Sequence, residues 1–192
     1  MVAPGISEPT KFVTFKLDEE VFALEINQVR EVLDYTVPTR VPQTPKFMRG
    51  VINLRGSVVP VVDLRLKFGM EETPKTVDTR IVIVEVSVDG EAAILGALAD
   101  SVKEVIELEP DRIGPAPRIG TRLRTEFIRG MGRMNEEFII ILDINQVFSV
   151  EELAAVQELE QTGTGQDGGS AKTDGLGRNA PSPAAAAAHD GT

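Results

Sequence analysis

Cysteine is absent from this chain, which removes disulfides, thiolate metal sites and thiol nucleophiles and fits a reducing compartment. Histidine occurs once, as His189, far from the apolar body of the sequence. No Ser–His or Cys–His arrangement and no histidine general base is therefore available there, and zinc has no ligand set. Tryptophan is missing and aromatics make up only 5%. The longest apolar runs, such as Phe138 to Leu142, fall far short of the roughly 20 residues that cross a bilayer as a helix. The first ten residues, MVAPGISEPT, lack the basic stretch and apolar run of a signal peptide. The phosphate-binding patterns GxxxxGK[ST] and GxGxxG and the EF-hand pattern do not occur. The expectation is a soluble cytoplasmic protein with no metal, no cofactor and no catalytic residues.

What remains is enough for a real core: 42% of 192 residues are hydrophobic, consistent with one ordinary domain plus a tail. The formal charge is −10, but residues 11–150 carry 22 acidic against 18 basic side chains, and residues 151–192 carry 7 against 2. A nearly balanced body argues against nucleic acid and suits a protein-binding module.

Residues 1–10 read as a loose leader. Val13, Phe15 and Leu17 then alternate with polar neighbours, Asp18-Glu19-Glu20 turn, and Phe22, Leu24 and Ile26 resume the period of two, as a half-buried hairpin does. Val29 to Leu33 is a further short apolar run. Thr44-Pro45 followed by Gly50 brackets a one-turn helix, PKFMR. The stretch GVINLRGSVVPVVDLRLKFG, 50–69, holds two β-rich runs joined by Arg55-Gly56, a tight hairpin whose glycine supplies the positive φ. Pro60 lacks an N–H and places its strand at an edge or a barrel rim. Arg55 at the tip is either a solvated turn residue or a presented one.

A polar linker, 70–78, precedes the second set of strands, with Ile81 to Val84 continuously apolar and Asp89-Gly90 as another hairpin turn. Val102 to Leu108, a Pro/Gly-rich loop IGPAPRIG, a short helix EFIR capped by Thr125, and the strand pair Met131 to Met134 and Phe138 to Ile144 follow. Leu153, Val156 and Leu159 mark a C-terminal amphipathic helix, 150–160. Residues 161–192 hold no aromatic and almost no large aliphatic side chain. They read as a disordered tail that cannot offset its own ordering entropy.

The two halves repeat. Phe47-x-Arg49-Gly50 recurs as Phe127-x-Arg129-Gly130, Asp63 and Asp143 each follow the glycine by thirteen positions, and Phe68 matches Phe148. Upstream, Val29-Arg30-Glu31-Val32-Leu33 answers Val102-Lys103-Glu104-Val105-Ile106, and Arg40-Val41 echoes Arg112-Ile113. Duplication with short connections predicts a mainly β protein: two similar small five-stranded β-barrels packed side by side, with short helices and a C-terminal helix. The first barrel is expected mainly from 11–69 and the second mainly from 79–148, within a domain 11–160. Asp63 and Asp143 could suggest paired carboxylates, but an Asp closing a strand before a helical turn is usually a cap. Arg118, Arg122, Arg124, Arg129 and Arg133 form the best case for a nucleic-acid-binding barrel, yet only Phe127 lies among them and its repeat position suggests core.

GVINLRGSVVPVVDLRLKFG, with FVTFKLDEEVFALEINQVREV before it and ADSVKEVIEL after, closely resembles the CheW family of bacterial chemotaxis coupling proteins. The NLRG-x-x-x-P-x-x-D-L core is highly specific, and the likeness runs from about Lys11 to Leu159. The resemblance implies a double barrel and a non-enzymatic adaptor between the hairpin tip of a chemoreceptor and the regulatory domain of the histidine kinase CheA, with possible ring assemblies. By the same resemblance Val29, Glu31, Arg55, Ile81 and Val105 lie on the receptor-binding side. Gly50 and Gly56 would let the first barrel meet the kinase. Residue by residue, Val29 and Val105 could equally be core, and Gly50 a helix stop.

Overall fold

The computed structural model describes residues 5–117 and 123–163. Its strands are β1 (Thr10–Leu17), β2 (Glu20–Glu25), β3 (Val29–Asp34), β4 (Met48–Leu54), β5 (Ser57–Asp63), β6 (Arg80–Val88), β7 (Glu91–Ala99), β8 (Ser101–Leu108), β9 (Ile113–Gly114), β10 (Ile128–Met134) and β11 (Glu137–Leu142). The helices are α1 (Leu64–Lys67), α2 (Ile144–Val147) and α3 (Val150–Gly163). One sheet runs β8-β1-β2-β11-β10-β9 and the other β3-β6-β7-β5-β4. The protein is mainly β, with two barrel-like subdomains. One holds a sixth strand of only two residues, and the isolated bridge Thr39–Val51 stands in that place in the other.

The two sheets are the same object twice. In each, the only parallel pairing joins a strand of the opening hairpin to the last strand: β2 with β11, and β7 with β5. Both copies of the FxRG motif sit at a register shift where the following hairpin begins. Asp63 N–H donates to the Phe47 carbonyl at 2.7 Å, and Asp143 N–H to the Phe127 carbonyl at 2.9 Å. The repeated aspartates are caps: the carboxylate of Asp63 accepts the Arg65 and Leu66 amides, and that of Asp143 accepts the Asn145 amide.

The halves do not divide at the linker. The hairpin β1–β2 joins the sheet of β8–β11, and the hairpin β6–β7 joins the sheet of β3–β5, so each half lends its opening hairpin to the other. Both sheets share one strand order, so the place of a hairpin along the chain does not say which sheet it enters. The exchange also explains the unbroken apolar run of β6. Ile81 and Ile83 fill the interior of one barrel, while Val82, Val84 and Val86 face the layer between the sheets, as a strand buried on both faces must.

Six of the eight phenylalanines lie in that middle layer. Phe68 packs on Phe127 at 5.8 Å between ring centroids and Phe47 on Phe148 at 6.2 Å. In the repeat these two contacts are the same contact exchanged between halves. Lys67 lies over the Phe47 ring at 4.7 Å and pairs with Glu152 of α3 at 2.6 Å, a desolvated cation held by aromatic faces and one carboxylate.

Several expectations are corrected. PKFMR is a turn closed by the Met48 amide on the Pro45 carbonyl, not a helix. EFIR is a 3-10 turn, Thr125–Phe127, followed by strand. Both glycines therefore lie in strands and stop no helix. Pro60 sits in an internal strand between β7 and β4. It is tolerated because Val51, opposite it, turns its own backbone groups toward Thr39, and the ladder with β7 starts only at Val61. The leader is anchored: Ile6 is buried in the barrel interior with Phe12 and Ile113, and the Gly5 carbonyl accepts from Arg129 at 3.2 Å. The linker is tied down too, with Thr73 buried against Asp63. Strand pairing equates Thr39 with Gly114, so Arg40 and Arg112 are not counterparts. The expected tail lies outside the described residues from 164 onward.

Candidate partner-binding site

The β4–β5 hairpin closes on Arg55 at φ +50° and Gly56 at φ +85°, the two positive dihedrals of a tight turn that follows sheet twist. The Gly56 amide donates to Asn53 Oδ1 at 2.9 Å, which fixes the turn. From it the Arg55 guanidinium reaches Glu31 with two bonds, Nη1 to Oε1 at 2.7 Å and Nη2 to Oε2 at 2.8 Å. Because β3 and β4 are the outermost strands of their sheet, this bidentate pair is a clasp across the open seam of the barrel. Beside it lies a shallow depression of about 390 Å³, floored by Leu54, Val59, Ile83 and Ile94 and bordered by the pair and Arg30.

Hydrogen bonding from Arg55, assisted by its charge, holds the Glu31 carboxyl below the usual carboxylate range, and Glu31 raises the guanidinium in turn. Arg55 remains 75% exposed while Glu31 is 26% exposed. An oriented yet accessible guanidinium gives a partner direction and register rather than bulk affinity. The lowered carboxyl makes the clasp present at and above the ordinary carboxylate pKa and lost as pH falls through the lowered value. Binding that uses the clasp should therefore be flat from neutrality to mild acid and drop only below the usual Glu range. A carboxyl titration by NMR checks this, and a Glu31 midpoint at or above the model-peptide value would refute it.

The other expected residues separate. Val29 is half-buried against the layer between the sheets. Ile81 is fully buried, at 0% exposure: it points into the barrel interior opposite Leu33 and offers no surface to a partner, a correction to the expectation. Val105 is 53% exposed but belongs to β8 of the other sheet. Gly50 lies at the bulged start of β4, at the far end of the hairpin from Gly56. Val32, on the same strand as Glu31, is 40% exposed, and the VREVL/VKEVI match makes it the counterpart of Val105.

The described members of the arginine run make contacts within the chain. Phe127 is buried, Arg129 bonds to Glu25, Arg124 pairs with Glu126, and Arg133 lies over the Phe138 ring. Arg118 and Arg122 lie outside the described residues.

The family of the CheW-like domain matches residues 11–152. The chain belongs to the CheW family. It is 33% identical over 152 residues to the chemotaxis protein CheW of Klebsiella aerogenes, covering 79% of this chain and 89% of that protein. It is 28% identical over 148 residues to the protein FrzA of Myxococcus xanthus, covering 76% and 89%. The crystal structure of the scaffolding protein TtCheW from Thermoanaerobacter tengcongensis superposes with a TM-score of 0.67 at 38% identity, covering 75% of this chain and 95% of that one. The Klebsiella relative carries a chemotaxis name and the solved structure a scaffolding name, and the chain is a CheW-type scaffold and not an enzyme. No described helix is long and apolar enough to cross a membrane.

Proposed function

We propose that the chain is an adaptor that couples chemoreceptors to the histidine kinase CheA at cytoplasmic receptor arrays. The observation that carries this reading is the Glu31–Arg55 clasp: a bidentate pair held in a fixed geometry yet open to solvent, on the edge strand that also bears Val32. An antiparallel helical receptor tip would take its register from the clasp and bury apolar surface on Val29, Val32 and Val105. Gly50 and Gly56, at the two ends of β4–β5, would belong to the kinase-facing side. An adaptor without chemistry of its own works by linkage, contacting the kinase-on and kinase-off arrangements unequally.

The test is calorimetry of the full chain against the CheA regulatory domain and, separately, a soluble receptor hairpin fragment. Saturable binding to both is expected; a folded chain that binds neither overturns the reading. Arg55→Ala should weaken the receptor fragment about tenfold, as loss of one oriented interface charge does. Its thermal midpoint should barely move, because an exposed pair adds little to stability. A large loss of stability with unchanged receptor affinity would return Arg55 to a purely structural role.

A further inference from the structure

The mouths of the two barrels are built from the same repeat, and only one of them holds a guanidinium. In the first, Glu31 of β3 meets Arg55 over a floor of Leu54, Val59, Ile83 and Ile94. The second has a cavity of about 150 Å³ in the same place, lined by Glu104 of β8, Asn135 of the β10–β11 turn and Glu137. The VREVL/VKEVI match sets Glu104 where Glu31 stands. The spacing that carries Asp63 to Asp143 carries Leu54, Arg55 and Ser57 to Met134, Asn135 and Glu137. Strand pairing agrees, with a register shift at Arg30 on β3 and at 103–104 on β8. Asn135 and Glu136 take φ +48° and +68°, as Arg55 and Gly56 take +50° and +85°, so the two turns present their first residues alike. Thr14 fixes the Glu104 backbone, its hydroxyl donating to the carbonyl at 2.7 Å and accepting from the amide at 3.2 Å.

What differs is the charge. Asn135 puts a short neutral amide where the first mouth has its guanidinium, and Glu137 puts a carboxylate where it has the Ser57 hydroxyl. Among the described residues neither Glu104 nor Glu137 forms an ion pair. Lys103, the counterpart of Arg30, lines the same cavity, so two carboxylates face one ammonium there. Two glutamates alone make no site, but the first mouth shows a carboxylate in this position gripping a guanidinium with two bonds. We propose that the mouth of the second barrel is a socket for an arginine side chain carried by a partner protein, which completes there the clasp that Arg55 completes within the chain. The arriving guanidinium bonds to Glu104 as Arg55 bonds to Glu31, with Glu137 beside it. Its weakly hydrated faces suit the apolar floor of Val21, Ile106, Met134 and Ile139, which a strongly hydrated lysine ammonium does not. The cavity takes one head group and no helix, so the contact fixes a partner's register rather than adding bulk affinity. It lies in the other barrel from the Glu31–Arg55 clasp and does not rest on the coupling function, so either can fail alone.

The repeat supplies the controls. Nα-acetyl-arginine methylamide titrated into the full chain should give saturable NMR shifts at the Glu104, Asn135 and Glu137 amides at millimolar concentration. The neutral citrulline derivative, nearly the same in shape, should give none, and the lysine derivative should bind about threefold more weakly. Glu104→Gln should weaken the arginine probe about fivefold, as loss of a charge-assisted acceptor does. Asn135→Arg gives the second mouth a clasp of its own and should abolish binding there. Arg55→Asn strips the first mouth to the pattern of the second and should open a new site, marked by shifts at Glu31. Each of these two variants places at a turn the residue its counterpart turn already carries, and a circular dichroism melt verifies that they fold. No saturable shift at tens of millimolar, equal shifts with the citrulline or lysine derivative, or binding unchanged by Glu104→Gln or Asn135→Arg would each overturn the socket. Failure of Arg55→Asn to open a site at Glu31 would break the equivalence of the two mouths and overturn it as well.

Discussion

Gly50→Ala is expected to destabilise the fold by about 3–5 kcal/mol, the sum of a positive-φ penalty and two strained backbone hydrogen bonds, and so to lower the thermal midpoint by roughly 10 °C. Gly50 adopts φ +135°, and a Cβ built on it would lie 2.2 Å from the Thr39 carbonyl oxygen and 2.7 Å from its carbon. Both atoms are backbone and cannot swing aside. Thr39 is held there by reciprocal bonds with Val51, 2.8 and 2.9 Å, so the substitution must peel the 39–47 segment from β4. Hydrogen exchange at the Thr39 and Val51 amides should accelerate well before global unfolding. Gly56→Ala is the control: its Cβ would meet nothing within 4 Å, leaving only the φ cost of about 1 kcal/mol. If the two variants melt alike, close approach is not what position 50 requires. On the proposed function, Gly50→Ala also weakens kinase binding by displacing the surface beside it, while receptor binding through Arg55 is largely kept.

The repeat made most of this architecture legible before any coordinates. Matched FxRG motifs and aspartates predicted two like units, and the structure returns them as equivalent bulges, caps and ring contacts. What the repeat could not reveal was which unit receives each opening hairpin, because both units have the same strand order and offer the same place to it; the strands therefore do not divide between the barrels at 69 and 79. PKFMR and EFIR looked helical because proline, threonine and glycine bracket them. The brackets in fact mark a turn entering a strand whose glycine serves a bulge. At the site, Arg55-Gly56 was legible from turn chemistry alone. Its partner Glu31 was singled out only by family likeness, since no local signal links two residues on opposite edges of a sheet. Ile81 was misplaced because a strand buried on both faces shows no alternation from which to read a side.

Equivalent residues need not carry equal weight, and the two aspartates separate the cases. Asp63 is fully buried and accepts from the Arg65 amide at 3.0 Å, the Leu66 amide at 3.4 Å, the Thr73 amide at 2.8 Å and the Thr73 hydroxyl at 2.7 Å. Among the described residues, the Asp143 carboxylate accepts only from the Asn145 amide, at 3.2 Å. Asp63→Ala leaves several buried donors without an acceptor and should cost about 3–5 kcal/mol; Asp143→Ala loses one cap bond and should cost about 1 kcal/mol. Asp63→Asn should fall nearer to Ala than to wild type, because its amide group turns two donors toward donors. The damage should also travel. Asp63 seats α1, from which Arg65 reaches Asp100 at 2.8 Å and Lys67 reaches Glu152 at 2.6 Å, so loosening α1 releases struts to the start of β8 and to α3. Urea midpoints of the three variants decide the point. Equal losses at positions 63 and 143 would show that capping alone is at stake; a large gap would show that the first copy of the repeat has been recruited to hold the linker and the second has not.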